Sequence, residues 1–86
     1  MTNITVFHKK YCPYCRSAKK LLKAKGLSFK EIDVGRNAAE FAKMVKRSGR
    51  RTVPQIFIGN IHIGGFDDLM AQIANNSFPY EKIQAG

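Results

Sequence analysis

Cysteine is scarce and tryptophan absent in this 86-residue chain: Cys12 and Cys15 are its only thiols, beside two histidines and six acidic residues. Small secreted domains that make up for a thin core carry four, six or eight cysteines, so a stapled scaffold is excluded. A bridge closing so short a loop would restrain little of the unfolded chain. A tetrahedral zinc site needs two further ligands, yet there is no second cysteine pair, and His8 and His62 each fall in a β-rich stretch with apolar neighbours. No metal site is expected. No apolar stretch approaches the length that crosses a bilayer, and the opening MTNITVFHKK has neither a basic region followed by a long apolar run nor a cleavage-like segment. The expectation is a cytoplasmic protein without membrane attachment. Thiols are kept reduced there, and a cysteine pair is then catalytic or metal-binding more often than structural.

A chain this short buries only about 60% of its unfolded surface, which leaves room for one domain over residues 1–86 and one modest core. The shortage of acids against 15 lysines and arginines gives a net charge of +9. The excess lies in two clusters, Lys9 to Lys25 and Lys43 to Arg51. Such a surface attracts anions, whether nucleic acid, acidic proteins or small carboxylates, or simply keeps the chain solvated. No repeat, low-complexity tract or linker marks a boundary.

Residues 3 to 8, NITVFH, read as a short strand. Pro13 suits the first position of a helix, where its missing N–H has no intrahelical partner to lose, so Cys12 is the expected N-cap. From Pro13 to Lys25, Cys15, Ala18, Leu21 and Leu22 share one face, and Arg16, Lys19, Lys20 and Lys23 the other, with Gly26 as the stop. LSFKEIDV, residues 27 to 34, reads as a second strand. Asn37 and Glu40 form a capping-box pair for a helix through Arg47 that buries Phe41, Met44 and Val45 and stops at Gly49. QIFI, Gly59-Asn60 and IHI make a hairpin. After Gly64-Gly65, FDDLMAQIA forms a last helix with Leu69, Met70 and Ile73 inward, and the tail from Asn76 holds at most one more helical turn. The order βαβαββα predicts an α/β fold: a parallel right-handed βαβ unit extended by an antiparallel hairpin into a mixed four-stranded sheet flanked by helices.

Three residues apart on a helix is one turn, so both sulfurs project to one side within disulfide reach. Cys12 sits where unpaired N–H groups and the helix dipole favour negative charge, and Lys10 and Arg16 add positive potential. Its thiol pKa is expected well below the usual value of about 8.5. Cys15, one turn inside, is favoured as the thiol by burial. Cys12 attacks and Cys15 resolves.

Taken together, Cys12-Pro13-Tyr14-Cys15 after Lys10, Thr52-Val53-Pro54 before a strand, and Gly64-Gly65-Phe66-Asp67-Asp68 opening a helix resemble a glutaredoxin of the dithiol class, of the short bacterial type. The resemblance covers residues 3 to about 75. Thioredoxins normally show WCGPC, which a chain without tryptophan cannot match. The resemblance implies a thioredoxin-like fold and a glutathione-dependent thiol:disulfide oxidoreductase acting on protein–glutathione mixed disulfides and protein disulfides. Glutathione would be a co-substrate, with no tightly bound cofactor.

It also implies roles for individual residues. Val53-Pro54 would be a cis peptide bond, which proline permits at roughly 0.5 to 1 kcal/mol, with the N–H and C=O of Val53 free to pair with a peptide-like substrate as an added strand. Gly64 and Gly65 would let the backbone turn tightly and a ligand come close, with Gly65 and Phe66 in the glutathione-binding set, and the helix start after them would offer N–H groups to a carboxylate. Asp68 would contact the γ-glutamyl ammonium, Lys10 the glycyl carboxylate, and Tyr14 would line the groove; Thr52 and Asp67 belong to the same set. Asp67 and Asp68 also read simply as acids that complement a helix dipole. Implied partners are glutathione and disulfide-bearing or glutathionylated proteins, ribonucleotide reductase being one client of that kind, with the chain a monomer. Position 66 is Phe where some dithiol relatives carry a further cysteine, so no thiol is expected outside the tetrad.

Two other classes remain. A dimeric [2Fe–2S] carrier would take one cysteine from each chain and a thiolate from bound glutathione, but the cluster-binding members resemble CGFS, from which Pro13 and Tyr14 depart. A basic nucleic-acid binder would need stacking aromatics on a basic sheet face or a recognition motif, and neither is present.

Overall fold

The computed structural model describes residues 2–84. Along the chain come β1 (Ile4–His8), α1 (Pro13–Ala24), β2 (Lys30–Asp33), α2 (Ala38–Ser48), β3 (Gln55–Ile58), β4 (Ile61–Gly64), α3 (Phe66–Ala74) and a single 3-10 turn at Tyr80–Lys82. The four strands form one sheet in the order β2-β1-β3-β4. β2 runs parallel to β1, with Phe7 opposite Ile32, while β3 is antiparallel to both β1 and β4. The expected mixed sheet is present.

Strand alternation divides the core into two layers. Ile4 and Val6 of β1 and Ile56 and Ile58 of β3 point to one face, where they meet Ala18 and Leu22 of α1 and Leu69 of α3. Phe7 and Phe57 point to the other face, against Met44 of α2 and Val34. Among the described residues no helix is long and apolar enough to cross a membrane.

The elements are shorter than expected where the pattern was uneven. Only Lys30–Asp33 of the stretch 27 to 34 pairs as a strand; Leu27 and Phe29 pack against the α1 layer from the preceding loop. Asn37 does cap α2, its Oδ1 accepting from Glu40 N–H, but the Glu40 carboxylate pairs with Lys43 instead of completing the box. Within α2 only Met44 is buried, Phe41 and Val45 being half-covered. Met70 is a correction: it is 43% exposed beside a fully buried Leu69. Neighbouring helical positions lie about 100° apart, and with Leu69 turned fully into the core Met70 falls at the edge of the buried stripe. The tail is tied back by Asn3, whose amide donates to Lys82 O and accepts from Gln84 N–H, and by Phe78 in the core.

Candidate functional site

The first turn of α1 is built as its sequence requires. Tyr11, at φ 58°, swings the chain out of β1, Cys12 takes an extended N-cap conformation, and Pro13 occupies the position where no N–H is needed. The cap acceptor is sulfur: Cys15 N–H points at Cys12 Sγ at 3.1 Å. Cys12 and Cys15 are joined in a disulfide across a Cα–Cα distance of 5.2 Å. Their environments differ as expected, Cys12 half-exposed and Cys15 1% exposed. An outside thiol or disulfide therefore meets Cys12 first.

The second wall comes from the loop before β3. Val53-Pro54 is cis, and Cys12 Sγ lies 3.9 Å from the Val53 carbonyl oxygen. β3 begins at Gln55, so Val53 has no strand partner among the described residues. Its backbone is a short free edge beside the sulfur.

The third wall is the β4–α3 junction. Gly64 has φ 118°, and a Cβ there would strike the Asp68 carboxylate, so the turn admits that side chain only because position 64 has none. Gly65 caps α3, and its N–H donates to Asp68 Oδ2 at 2.9 Å. The same oxygen accepts from Arg50 Nη1 at 2.8 Å. The Arg50 guanidinium first, and the Gly65 N–H second, hold the Asp68 carboxyl below the usual carboxylate range.

These walls enclose a groove of about 240 Å³ lined by Tyr14, Thr52, Val53, Pro54, Gly65, Phe66, Asp67 and Asp68. The Tyr14 and Phe66 rings stack at one side with centroids 6.2 Å apart. Eight of the nine residues singled out beside the cysteines thus come together. Lys10 is the exception: it is exposed in the loop before Cys12 and does not line the groove.

Two lining residues were missed. In the sequence Arg50 reads only as part of a basic run, and nothing ties it to an acid 18 positions later. Gln55 carried a signal, a polar residue opening an otherwise apolar strand. It is fully buried and donates to Thr52 O and Oγ1 at 3.0 and 3.2 Å. Its amide oxygen is left to accept from His62 Nε2 at 2.7 Å. His62 thereby steadies Thr52 from behind the groove, and burial pushes its pKa down, with the Arg50 charge adding to the effect.

The Glutaredoxin family model matches residues 4–63. Glutaredoxin 3 of Escherichia coli (strain K12) is 56% identical over 71 residues, which cover 83% of this chain and 86% of that one. Among solved structures, a Brucella melitensis glutaredoxin is 47% identical with a TM-score of 0.75, covering 87% of this chain and 82% of that one. A buckwheat glutaredoxin–glutathione complex is 35% identical with a TM-score of 0.81, covering 88% and 72%. With its thioredoxin-like sheet and its Cys12–Cys15 pair at the start of α1, the chain belongs to the glutaredoxin family and is a thiol–disulfide oxidoreductase of the dithiol class.

Proposed function

We propose that this oxidoreductase takes its electrons from glutathione and reduces protein–glutathione mixed disulfides and protein disulfides, acting as a monomeric single domain in the cytoplasm. The observation that carries the reading is the groove itself: a free strand edge at Val53 and an acid at Asp68 border one small cleft beside Cys12 Sγ. Glutathione is a peptide with an ammonium at one end, carboxylates at both, and a thiol between. Val53 would pair with its backbone, Asp68 would take the ammonium, and the α3 N-terminus would take the neighbouring carboxylate. Lys10 is near enough in sequence to Cys12 to swing toward the glycyl carboxylate, and Arg50 supplies a second cation already in the groove. That a buckwheat relative forms a glutathione complex supports the same reading.

In the one-cysteine route the Cys12 thiolate attacks the glutathione sulfur of a mixed disulfide. The protein thiolate leaves, and Cys12 carries the glutathionyl group. A second glutathione thiolate attacks that glutathione sulfur, giving glutathione disulfide and free Cys12. In the two-cysteine route Cys12 attacks a protein disulfide, releasing one protein thiolate. Cys15 then displaces the other from Cys12, and two glutathiones reduce the resulting Cys12–Cys15 bond. Cys15 is too buried to meet an external disulfide, so it acts only within the chain. Glutaredoxin potentials of roughly −200 to −230 mV lie near that of the glutathione pool, so either direction is open.

The test is glutathione-dependent reduction of a glutathionylated peptide, coupled to glutathione reductase, with wild type, Cys12→Ser and Cys15→Ser. An active Cys15→Ser and a dead Cys12→Ser are expected. If the wild type reduces a protein disulfide with another reductant but is inert with glutathione, the groove is not a glutathione site.

A further inference from the structure

A second and larger groove, about 570 Å³, lies between α1 and α3 and takes no part in the chemistry above. Leu21 and Ala24 line it from α1, and Phe66, Met70 and Ile73 from α3. Among the described residues its charged lining consists of Lys20 and Lys25, both exposed, with no acid. It is continuous with the reacting site, because Phe66 lines both grooves and stacks on Tyr14, two residues from Cys12. From Cys12 to Leu21 the helix advances about 13 Å, the span of about four extended residues.

We propose that this groove docks the protein client, receiving an apolar side chain about four residues from the client's reacting cysteine, with acidic side chains beside it facing Lys20 and Lys25. Glutathione has one residue on either side of its cysteine, short of the four-residue span from Cys12 to Leu21, so the groove separates polypeptide clients from small disulfides. Charge selects the occupant. A second copy docked symmetrically would set Lys20 and Lys25 against their equivalents on a chain of net charge +9, whereas an acidic segment is complementary. The proposal rests on Cys12 as the attacking thiol and is independent of which reductant follows.

The test is a single-turnover reaction of the reduced protein with three disulfides of 2-nitro-5-thiobenzoate. One is on a peptide with leucine four residues after its cysteine, followed by two glutamates. The second has two lysines in place of the glutamates, and the third is the N-acetylcysteine adduct. In each, the Cys12 thiolate bonds to the cysteine sulfur as the bond to thionitrobenzoate breaks. Thionitrobenzoate leaves with the electron pair and is read by its absorbance, and Cys15 then displaces the bound thiolate to give the Cys12–Cys15 disulfide. At subsaturating concentration the acidic peptide is expected to react on the order of tenfold faster than the lysine peptide. Lys20→Glu with Lys25→Glu should reverse that order. Met70→Asp, and more mildly Met70→Ala, should slow the acidic peptide and leave the N-acetylcysteine adduct unchanged. Equal rates for the two peptides, equal losses on the small adduct, or a wild-type dimer in sedimentation that Met70→Asp breaks would overturn the proposal. Selectivity that persists while glutathione-coupled turnover fails would condemn the glutathione reading alone, and a wild type inert to all three adducts would overturn both.

Discussion

Asp68 is engaged before any ligand arrives: its Oδ2 holds the Arg50 guanidinium at 2.8 Å on the rim of the groove beside Cys12. In the proposed complex an incoming glutathione ammonium would share that carboxylate or displace Arg50, and a displaced Arg50 would remain beside the ligand's own carboxylates. Loss of the acid in Asp68→Asn is expected to raise the KM for glutathione on the order of tenfold, the worth of one charge-assisted hydrogen bond. Arg50→Ala should leave Asp68 charged at neutral pH but let it protonate nearer the ordinary aspartate value. The acid limb of kcat/KM against pH should then move upward from its wild-type position. An unmoved limb would mean that Arg50 does not hold Asp68 in solution.

The same pair gives stability a sign. Because the folded-state pKa of Asp68 is lowered, its contribution is present above the unfolded aspartate value and is lost as pH falls through the lowered one. His62 acts over a different window. Its pKa is lowered by burial, so the folded state resists the proton, and stability should fall as pH drops below the ordinary histidine value of about 6.5. Urea midpoints at pH 8, 6 and 5 should decline for wild type and decline less for His62→Gln, which titrates nowhere in that range.

Access should divide the two thiols. In the reduced protein at pH 7, iodoacetamide is expected to alkylate Cys12 well before Cys15, since Cys15 is 1% exposed and Cys12 is a helix cap with an N–H aimed at its sulfur. Peptide mass mapping after a short exposure reads the order directly. Equal labelling would contradict the division of roles.

Adjacent positions of α3 should behave unlike each other. Leu69→Ala opens a cavity in the α1 layer and is expected to cost about 2 to 5 kcal/mol. Met70→Ala, at a half-open position, should stay within about 0.5 kcal/mol of wild type. Denaturant titration of the two variants checks the facing of the helix.

Much of this architecture can be read from residues alone where a local rule and a global one agree. Pro13 after Cys12, Gly49 at φ 72° ending α2, and the Gly59-Asn60 hairpin each act through backbone geometry that the residue itself imposes. The CPYC, TVP and Gly-Gly-Phe-Asp-Asp segments are likewise visible in sequence, and the fold brings Tyr14, Thr52 to Pro54, and Gly65 to Asp68 of them to one cleft. Long-range partners were hidden. Arg50 reaches Asp68, and Gln55 joins Thr52 to His62, through side-chain directions that no periodicity encodes. Met70 is not placed by its sequence, because an apolar residue next to a core position fits a helical stripe equally well whether it faces the sheet or an open groove.

The sulfur of Cys12, the proposed reacting atom, is also the cap of α1, a post normally held by an oxygen that never changes its bonding. Joined to Cys15, as here, it accepts the Cys15 N–H only as a neutral disulfide sulfur; as a thiolate it would accept with a full charge. The fraying of the first helical turn is then expected to rise and fall with each turnover. The Cys15 amide proton is the natural witness: its chemical shift and exchange rate should report the oxidation state of a neighbour three residues away, without a label and without reading a sulfur at all.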